Sequence, residues 1–126
     1  MASSPAPEFV SINRWDQVYD ALSHVVRRRL LISLHEAGEQ TPVVLPNAAG
    51  PDSGEPPVHD LEIKLKHHHL PKLADYEYVE WDTSPFQASR GRRFGEIDSV
   101  LEPLLAQAGN YPPSLVIGCD ALESRM

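Results

Sequence analysis

Residues 67–82 read HHHLPKLADYEYVEWD, and within them a helical pattern passes into a strand pattern. At about 100 degrees per residue, the segment from Asp60 to Tyr76 has a basic side and an apolar side, which predicts an amphipathic helix. Pro71 lies inside this segment and has no amide hydrogen, so we expect a kink or a split near Leu70. The basic side carries Lys64, His68, Lys72 and Asp75, and the apolar side carries Ile63, Leu70, Leu73 and Ala74.

The residues that follow predict two strands and a last helix. YVEWD (Tyr78–Asp82) and FQASR (Phe86–Arg90) each alternate apolar and polar residues around the turn TSP, which is typical of a β-hairpin. A helix is expected over residues 93–107, bent or ended early by Pro103 and stopped by Gly109. Its apolar face carries Phe94, Ile97, Leu101, Leu104 and Ala108.

Two helices are predicted ahead of this region. The first covers residues 14–22 with Asn13 as its cap, and the second covers residues 23–37 with Ser23 as its cap and Gly38 at its end. The basic run from Arg27 to Arg29 falls on the polar side of the second helix, which is typical of a solvated face. Apolar positions are Trp15, Val18, Tyr19 and Leu22 in the first helix, and Val26, Leu30, Leu31 and Leu34 in the second.

Proline and glycine interrupt the chain before the basic helix. Residues 39–57 contain five prolines and two glycines, so no regular helix runs through them, although TPVVLP predicts a short strand. We expect a flexible N-terminal segment at 1–13, one domain at 14–108 with a Pro/Gly-rich loop at 39–57, and a C-terminal tail at 109–126. Within the tail, SLVIGC suggests a short strand.

Composition and charge limit the class of protein. A chain of 126 residues, 41% of them hydrophobic, supports one domain with a small core. It has no long apolar run and no targeting pattern, so we expect a cytoplasmic protein without membrane contact. The single Cys119 allows no internal disulfide and is interpreted as a small hydrophobic residue. No catalytic motif is present, and we expect neither an enzyme nor a cofactor.

The predicted order of elements is helix, helix, short strand, loop, basic helix, hairpin, helix. HLPKLADYEYVEWD (69–82) is similar to the H-L-x-x-L-x-x-x-G-L-V stretch of ArsR-like winged helix-turn-helix regulators, and ALSHVVRRRLLISL (21–34) resembles their A-L-x-x-x-x-R-R-x-I-L-x-x-L helix. The chain most resembles the small, uncharacterised winged-helix proteins of halophilic archaea, over about residues 15–105. The resemblance implies an α+β, mainly helical fold: a winged helix-turn-helix with a two-stranded β-hairpin wing and a C-terminal helix.

Two positions depart from the family pattern. The glycine that usually precedes the wing strand is Glu77 here, and a left-handed glutamate costs on the order of 1 kcal/mol more than glycine. The Pro-rich stretch 39–57 occupies the place of the first helix of the helix-turn-helix, so the basic helix lacks its usual support.

The function implied by the resemblance is transcriptional regulation through duplex DNA. The net charge of -7 opposes nucleic acid at long range, but nine of the eleven basic residues lie in three short groups. With roughly five phosphate contacts, log affinity falls against log salt with a slope of about -4 to -5. The predicted DNA-binding residues are Lys64, His67, His68 and Lys72 on the basic helix and Arg90, Arg92 and Arg93 after the hairpin.

The histidine triplet is interpreted as part of this surface. Consecutive helical residues point in different directions, so His67, His68 and His69 cannot all bind one metal ion, and no metal site is predicted. We expect His68 outward with the lysines, His69 at the edge of the core and His67 at a boundary.

A homodimer is expected, because one small helix gives little affinity for DNA by itself. The apolar side chains Trp15, Phe94, Leu101 and Leu104 of the terminal helices are the predicted dimer interface. The alternative is a winged-helix protein–protein interaction module without DNA binding, which would use the same terminal helices. The net charge and the missing support helix favour the alternative, whereas the clustered lysines and arginines favour DNA.

Overall fold

The computed structural model opens on a helix that is longer than the sequence pattern predicts. α1 (Pro7–Leu22) begins well before the predicted start at Arg14. The predicted flexible segment 1–13 is therefore helical from Pro7 onward, and Asn13 lies inside the helix instead of capping it. The structure describes residues 7–51, 59–116 and 120–123, so Cys119 and residues 52–57 of the predicted loop lie outside the described residues.

The second helix has the predicted end and a different cap. α2 (Val25–Ala37) is capped by His24 instead of Ser23, because the amide of Val26 donates to His24 Nδ1 at 3.1 Å. Gly38, with φ 87°, ends the helix as predicted. The apolar stripe of α2 is confirmed: its leucines are buried in the main core.

The first part of the Pro/Gly-rich loop packs against α2. The predicted short strand is confirmed as β1 (Val43–Val44). A single 3-10 turn (Asn47–Ala49) follows, and Ser33 on α2 donates to the carbonyl of Ala48 at 2.7 Å. Because Leu45 and Ala49 are buried, this short segment fills part of the space beside the helix.

The middle helix (residues 59–75) runs continuously but changes type along its length. It consists of α3 (His59–Lys64), a π-helical turn (Leu65–His69) and α4 (Leu70–Asp75). In the π turn the amide of Leu70 donates to the carbonyl of Leu65, five residues back. Instead of the expected kink or split near Leu70, the helix has one wider turn. This turn ends directly before Leu70 and Pro71, and Pro71 has no amide hydrogen to donate.

The buried side of the middle helix differs from the predicted apolar side. Ile63, predicted on the apolar side, is exposed, because it lies two residues from both of the buried Leu61 and Leu65 and is therefore on the opposite side of the helix. The core positions of the middle helix are Leu61, Leu65, His69, Leu70 and Leu73.

The predicted hairpin is confirmed as β2 (Val79–Thr83) and β3 (Phe86–Arg90). Thr83 pairs with Phe86 across a two-residue turn, and β1 pairs with β3 on the other side, which gives an antiparallel sheet of order β1-β3-β2. Glu77, just before β2, is left-handed with φ 64°, as the family pattern implies for the glycine at that place. A Cβ at Gly91, after β3, would lie 2.5 Å from the Glu77 carbonyl oxygen, so the two ends of the hairpin need glycine to approach this closely.

The described C-terminal residues, up to 116 and at 120–123, are mainly helical. α5 (Phe94–Ala106) continues through Pro103, which does not end it. The short helices α6 (Pro113–Val116) and α7 (Asp120–Glu123) follow, so the suggested strand in SLVIGC is wrong for residues 114–116. A second hydrophobic cluster packs described residues of the predicted tail against the end of α5. Its buried members are Leu105, Ala108, Val116 and Leu122. The described chain is thus mainly helical with a small antiparallel sheet, an α+β fold.

Candidate nucleic-acid interface

The exposed side of the middle helix carries three of the predicted residues. Lys64 has 61% of its side-chain surface exposed, and His67 and His68 are exposed beside it. Lys64 Nζ lies 2.9 Å from Asp60 Oδ2, one turn earlier. An exposed pair of this kind contributes at most about 1 kcal/mol, so a phosphate group can replace the carboxylate at little cost.

Lys72, predicted on the same basic side as Lys64 and His68, is partly buried and paired within the fold. Its Nζ contacts Asp20 Oδ2 of α1 at 2.7 Å and lies 5.5 Å from the ring centre of Tyr76, whose hydroxyl donates to the same carboxylate. The hydrogen bonds from Lys72 and Tyr76 lower the pKa of Asp20, and the Asp20 carboxylate raises the pKa of Lys72. Lys72 thus joins α4 to α1.

Arg90 is also engaged within the fold. Its guanidinium donates to the carbonyl of Leu34 at 3.1 and 3.2 Å and to that of His35 at 3.1 Å, and it stacks 4.6 Å from the ring centre of Phe94. Carbonyls in the last turn of a helix have no helical partner, and Arg90 supplies donors to the end of α2. This position leaves Arg90 poorly placed for the predicted phosphate contact.

The other two arginines share one carboxylate at the base of the hairpin. Arg92 Nη2 contacts both Glu77 oxygens at 3.0 and 2.8 Å, and Arg93 Nε lies 3.0 Å from Glu77 Oε2. Arg92, followed by the weaker influence of Arg93, lowers the pKa of Glu77. Arg92 still has 74% of its side-chain surface exposed, whereas the hairpin itself presents the carboxylates of Glu80 and Asp82.

Arg27 lies in the interior, and its prediction as a residue of a solvated face is wrong. Its guanidinium donates to the carbonyls of Asp20 (2.9 Å) and Ala21 (3.3 Å), to Ser23 Oγ (3.0 Å) and to His69 Nδ1 (3.0 Å). The end of α1 needs such donors, and this need was the only signal in the sequence that could have placed Arg27 inside.

His69 is fully buried, deeper than the expected edge of the core. Burial, followed by the nearby cations, lowers its pKa to about 4. His68 is exposed as expected, and His67 is exposed instead of lying at a boundary. The triplet therefore contributes two residues to the surface and one to the core.

Of the four residues predicted to form a dimer interface, two are buried, one is half-buried and one is exposed. Phe94 and Leu101 are 2% and 1% exposed and belong to the core, so their prediction as surface residues is wrong. Leu104 is half-buried against the second cluster. Trp15 is 49% exposed, and its ring centre lies 5.8 Å from that of the exposed Tyr19. Sequence reasoning missed Ile12, which extends this exposed apolar row along α1.

Within residues 7–51, 59–116 and 120–123, no three histidine, cysteine or carboxylate side chains are arranged to hold a metal ion. In the same residues, none of the helices has the length and apolar character needed to cross a membrane. Comparison of the chain with protein-family models, curated proteins and solved structures gives no match.

Proposed function

We propose that the chain is a winged helix-turn-helix protein that binds duplex DNA as a transcriptional regulator. The order of helices and strands and the sheet order β1-β3-β2 support this proposal, because the resemblance to winged-helix regulators implies a basic helix followed by a β-hairpin wing, the place that β2 and β3 take after the middle helix. A fold does not determine function, so the proposal depends on the side chains of the middle helix.

The observation that carries the proposal is the contrast between the two sides of the middle helix. Four leucines on one side are buried in the core, and the other side presents Lys64, His67 and His68 to solvent. A helix held in this way can enter the major groove, where donors contact phosphate oxygens and base edges. No exposed arginine lies on this side among the described residues, so we expect weak discrimination between sequences.

The electrostatics favour modest affinity. Lys64 and Arg92 are the most exposed of the predicted cations, and both are paired with carboxylates at the surface. Two phosphate contacts per protomer correspond to a slope of log affinity against log salt of about -2, and of about -4 for a dimer.

The experiment is fluorescence anisotropy with a random-sequence duplex over a salt series. Lys64→Gln and Arg92→Gln should each weaken binding and lower the slope by about one per protomer. Arg14→Gln is the matched control, because it removes one positive charge from α1, where Arg14 pairs with Glu96 at 2.6 Å. Absence of saturable binding at low salt, or equal losses in all three variants, would contradict the proposal.

A second candidate is an interaction module that does not bind DNA. The observation in its favour is the exposed row Ile12, Trp15 and Tyr19 on α1, together with the acidic outer positions Glu80 and Asp82 of the hairpin. A wing that lies beside a phosphate backbone is expected to carry cations. Failure of the DNA experiment together with self-association through α1 would favour this candidate.

A further inference from the structure

Three imidazole rings lie next to one another where α2 meets the middle helix. The ring centre of the buried His69 lies 4.4 Å from that of His24 and 4.8 Å from that of His68. His24 and His68 are exposed, so each presents an imidazole edge to solvent beside the buried ring. This arrangement brings the cap of α2, which the sequence analysis did not assign to any surface, beside the proposed DNA-binding side chains.

The hydrogen bond at the cap determines which nitrogen of His24 carries the proton. The amide of Val26 can only donate, so His24 Nδ1 must accept and the proton of the neutral ring lies on Nε2. The guanidinium of Arg27 likewise only donates, so His69 Nδ1 accepts and this ring also carries its proton on Nε2. His24 therefore has an N–H donor without having to become charged.

Several positively charged side chains act on these rings, although Lys64 is paired with Asp60 and Arg27 lies near Asp20. Partial burial of the ring, followed by Arg27, Arg28, His68 and Lys64, lowers the pKa of His24, and burial together with largely the same neighbours lowers that of His69. Arg28 uses one N–H on the carbonyl of Leu22 at 2.6 Å, and a guanidinium has five such donors. In a protein with a net charge of -7, this is a local concentration of basic side chains from two elements.

We propose that His24 and His68, with Lys64 and Arg28 beside them, form a phosphate-binding site that holds the backbone of the bound DNA. The inference rests on the proposed function and extends its surface from the middle helix to the start of α2. Imidazole N–H donors next to cations suit phosphate oxygens, which accept hydrogen bonds from side chains and set the register of a protein on the duplex. The contact from His24 adds affinity without releasing a counterion, because the ring is neutral.

The test compares His24→Asn and His68→Gln with wild type in the anisotropy assay at about pH 7.5, above the ordinary pKa of histidine. Asparagine caps a helix well, so His24→Asn keeps the cap and replaces the imidazole N–H with a shorter amide that does not reach as far into solvent. We expect about 3- to 10-fold weaker binding, the loss of one hydrogen bond, with an unchanged salt slope. His59→Asn, at the exposed first residue of α3, is the matched control and should bind like wild type.

A second readout separates this inference from the proposed function. Imidazole ¹⁵N resonances of the intact protein are followed by NMR during titration with inorganic tripolyphosphate, and we expect saturable shifts of the His24 and His68 signals but not of His59. Normal DNA binding by both variants, with no tripolyphosphate shift, would overturn the site and leave the proposed function standing. Saturable tripolyphosphate shifts without DNA binding would support the site and reject DNA as its ligand.

Discussion

Arg27 joins three parts of the fold through one buried guanidinium. It is 4% exposed, and its guanidinium bonds the last turn of α1, the turn before α2 and His69 of the middle helix. A buried cation is stable only when its donors are satisfied, and here carbonyl, hydroxyl and imidazole acceptors satisfy them. The residue therefore connects the N-terminal helices to the proposed DNA-binding helix.

Arg27→Ala should destabilise the protein by about 2–4 kcal/mol, because it leaves carbonyls of α1 and one nitrogen of His69 without a donor. Arg27→Lys keeps the charge but has a single donor group and should lose less. Urea unfolding followed by circular dichroism measures both. Equal stability of Arg27→Ala and wild type would show that these bonds do not hold the helices together.

His69 should make the protein sensitive to mild acid. Its pKa is about 4 in the folded protein and about 6.5 in the unfolded chain, so the unfolded chain binds more protons between these values. Stability is then complete above about pH 6.5 and falls as pH decreases towards 4, by up to about 3 kcal/mol. The lowered pKa of Asp20 acts only below its ordinary value of 3.8 and is separate from this window.

The acid effect is measured as the free energy of unfolding at several pH values. His69→Gln, which can still accept from Arg27, should have a flatter profile between pH 6.5 and 4 than wild type. His67→Gln, at an exposed position, should keep the wild-type profile. If both variants follow the wild-type profile, His69 is not the origin of the acid sensitivity.

Tyr78 has a buried hydroxyl group that makes no hydrogen bond within the described residues. Its ring is fully buried, and its hydroxyl has no hydrogen-bond partner among the described residues. Burial raises the pKa of Tyr78 to about 12. Tyr78→Phe should leave stability unchanged or raise it by up to about 1 kcal/mol, as measured by thermal unfolding, and a clear loss would reveal a missing partner.

At the scale of elements, the sequence predicted most helices and strands because each had a clear period or stop signal. Gly38 ended α2, and the alternation around TSP gave both hairpin strands. The π turn was not foreseen, since a single wider turn leaves no distinct mark in the hydrophobic pattern. The ion pair of Lys72 with Asp20 was not foreseen either, because the periodic pattern of one helix does not tell which side chains of another helix lie opposite it. The early start of α1 was missed because Ser11, Ile12 and Asn13 are all exposed, so no buried apolar stripe marks this part of the helix.

Glu77 joins the middle helix to β2 in a conformation that suits glycine. Glu77→Gly should raise the thermal midpoint by a few degrees, because the left-handed backbone is relaxed. Glu77→Gln keeps the backbone strain and removes only the charge shared by Arg92 and Arg93, so it serves as the control. A lower midpoint for Glu77→Gly than for Glu77→Gln would mean that the side chain contributes more than the backbone costs.

For the whole molecule, the apolar row on α1 should decide self-association. Replacing Trp15 and Tyr19 together with serine should weaken a homodimer at least 10-fold, because exposed aromatic residues of this size dominate small interfaces. Sedimentation velocity over a concentration series measures the dimer. Leu115→Ser is the control, since Leu115 is equally exposed but lies on α6. If the wild-type protein remains monomeric at every concentration, the prediction of a homodimer is wrong.

The pairing of cations inside the chain has a consequence for how this surface could change in evolution. Asp20, Asp60 and Glu77 hold Lys72, Lys64 and the arginines after the hairpin, so these carboxylates act as built-in competitors of any polyanion. Substitution of one of these carboxylates frees a cation that is already at the surface. A newly introduced lysine or arginine, in contrast, is useful only at a position where the fold tolerates it. Tight and weak binders can therefore arise from one scaffold by adjusting its acids alone.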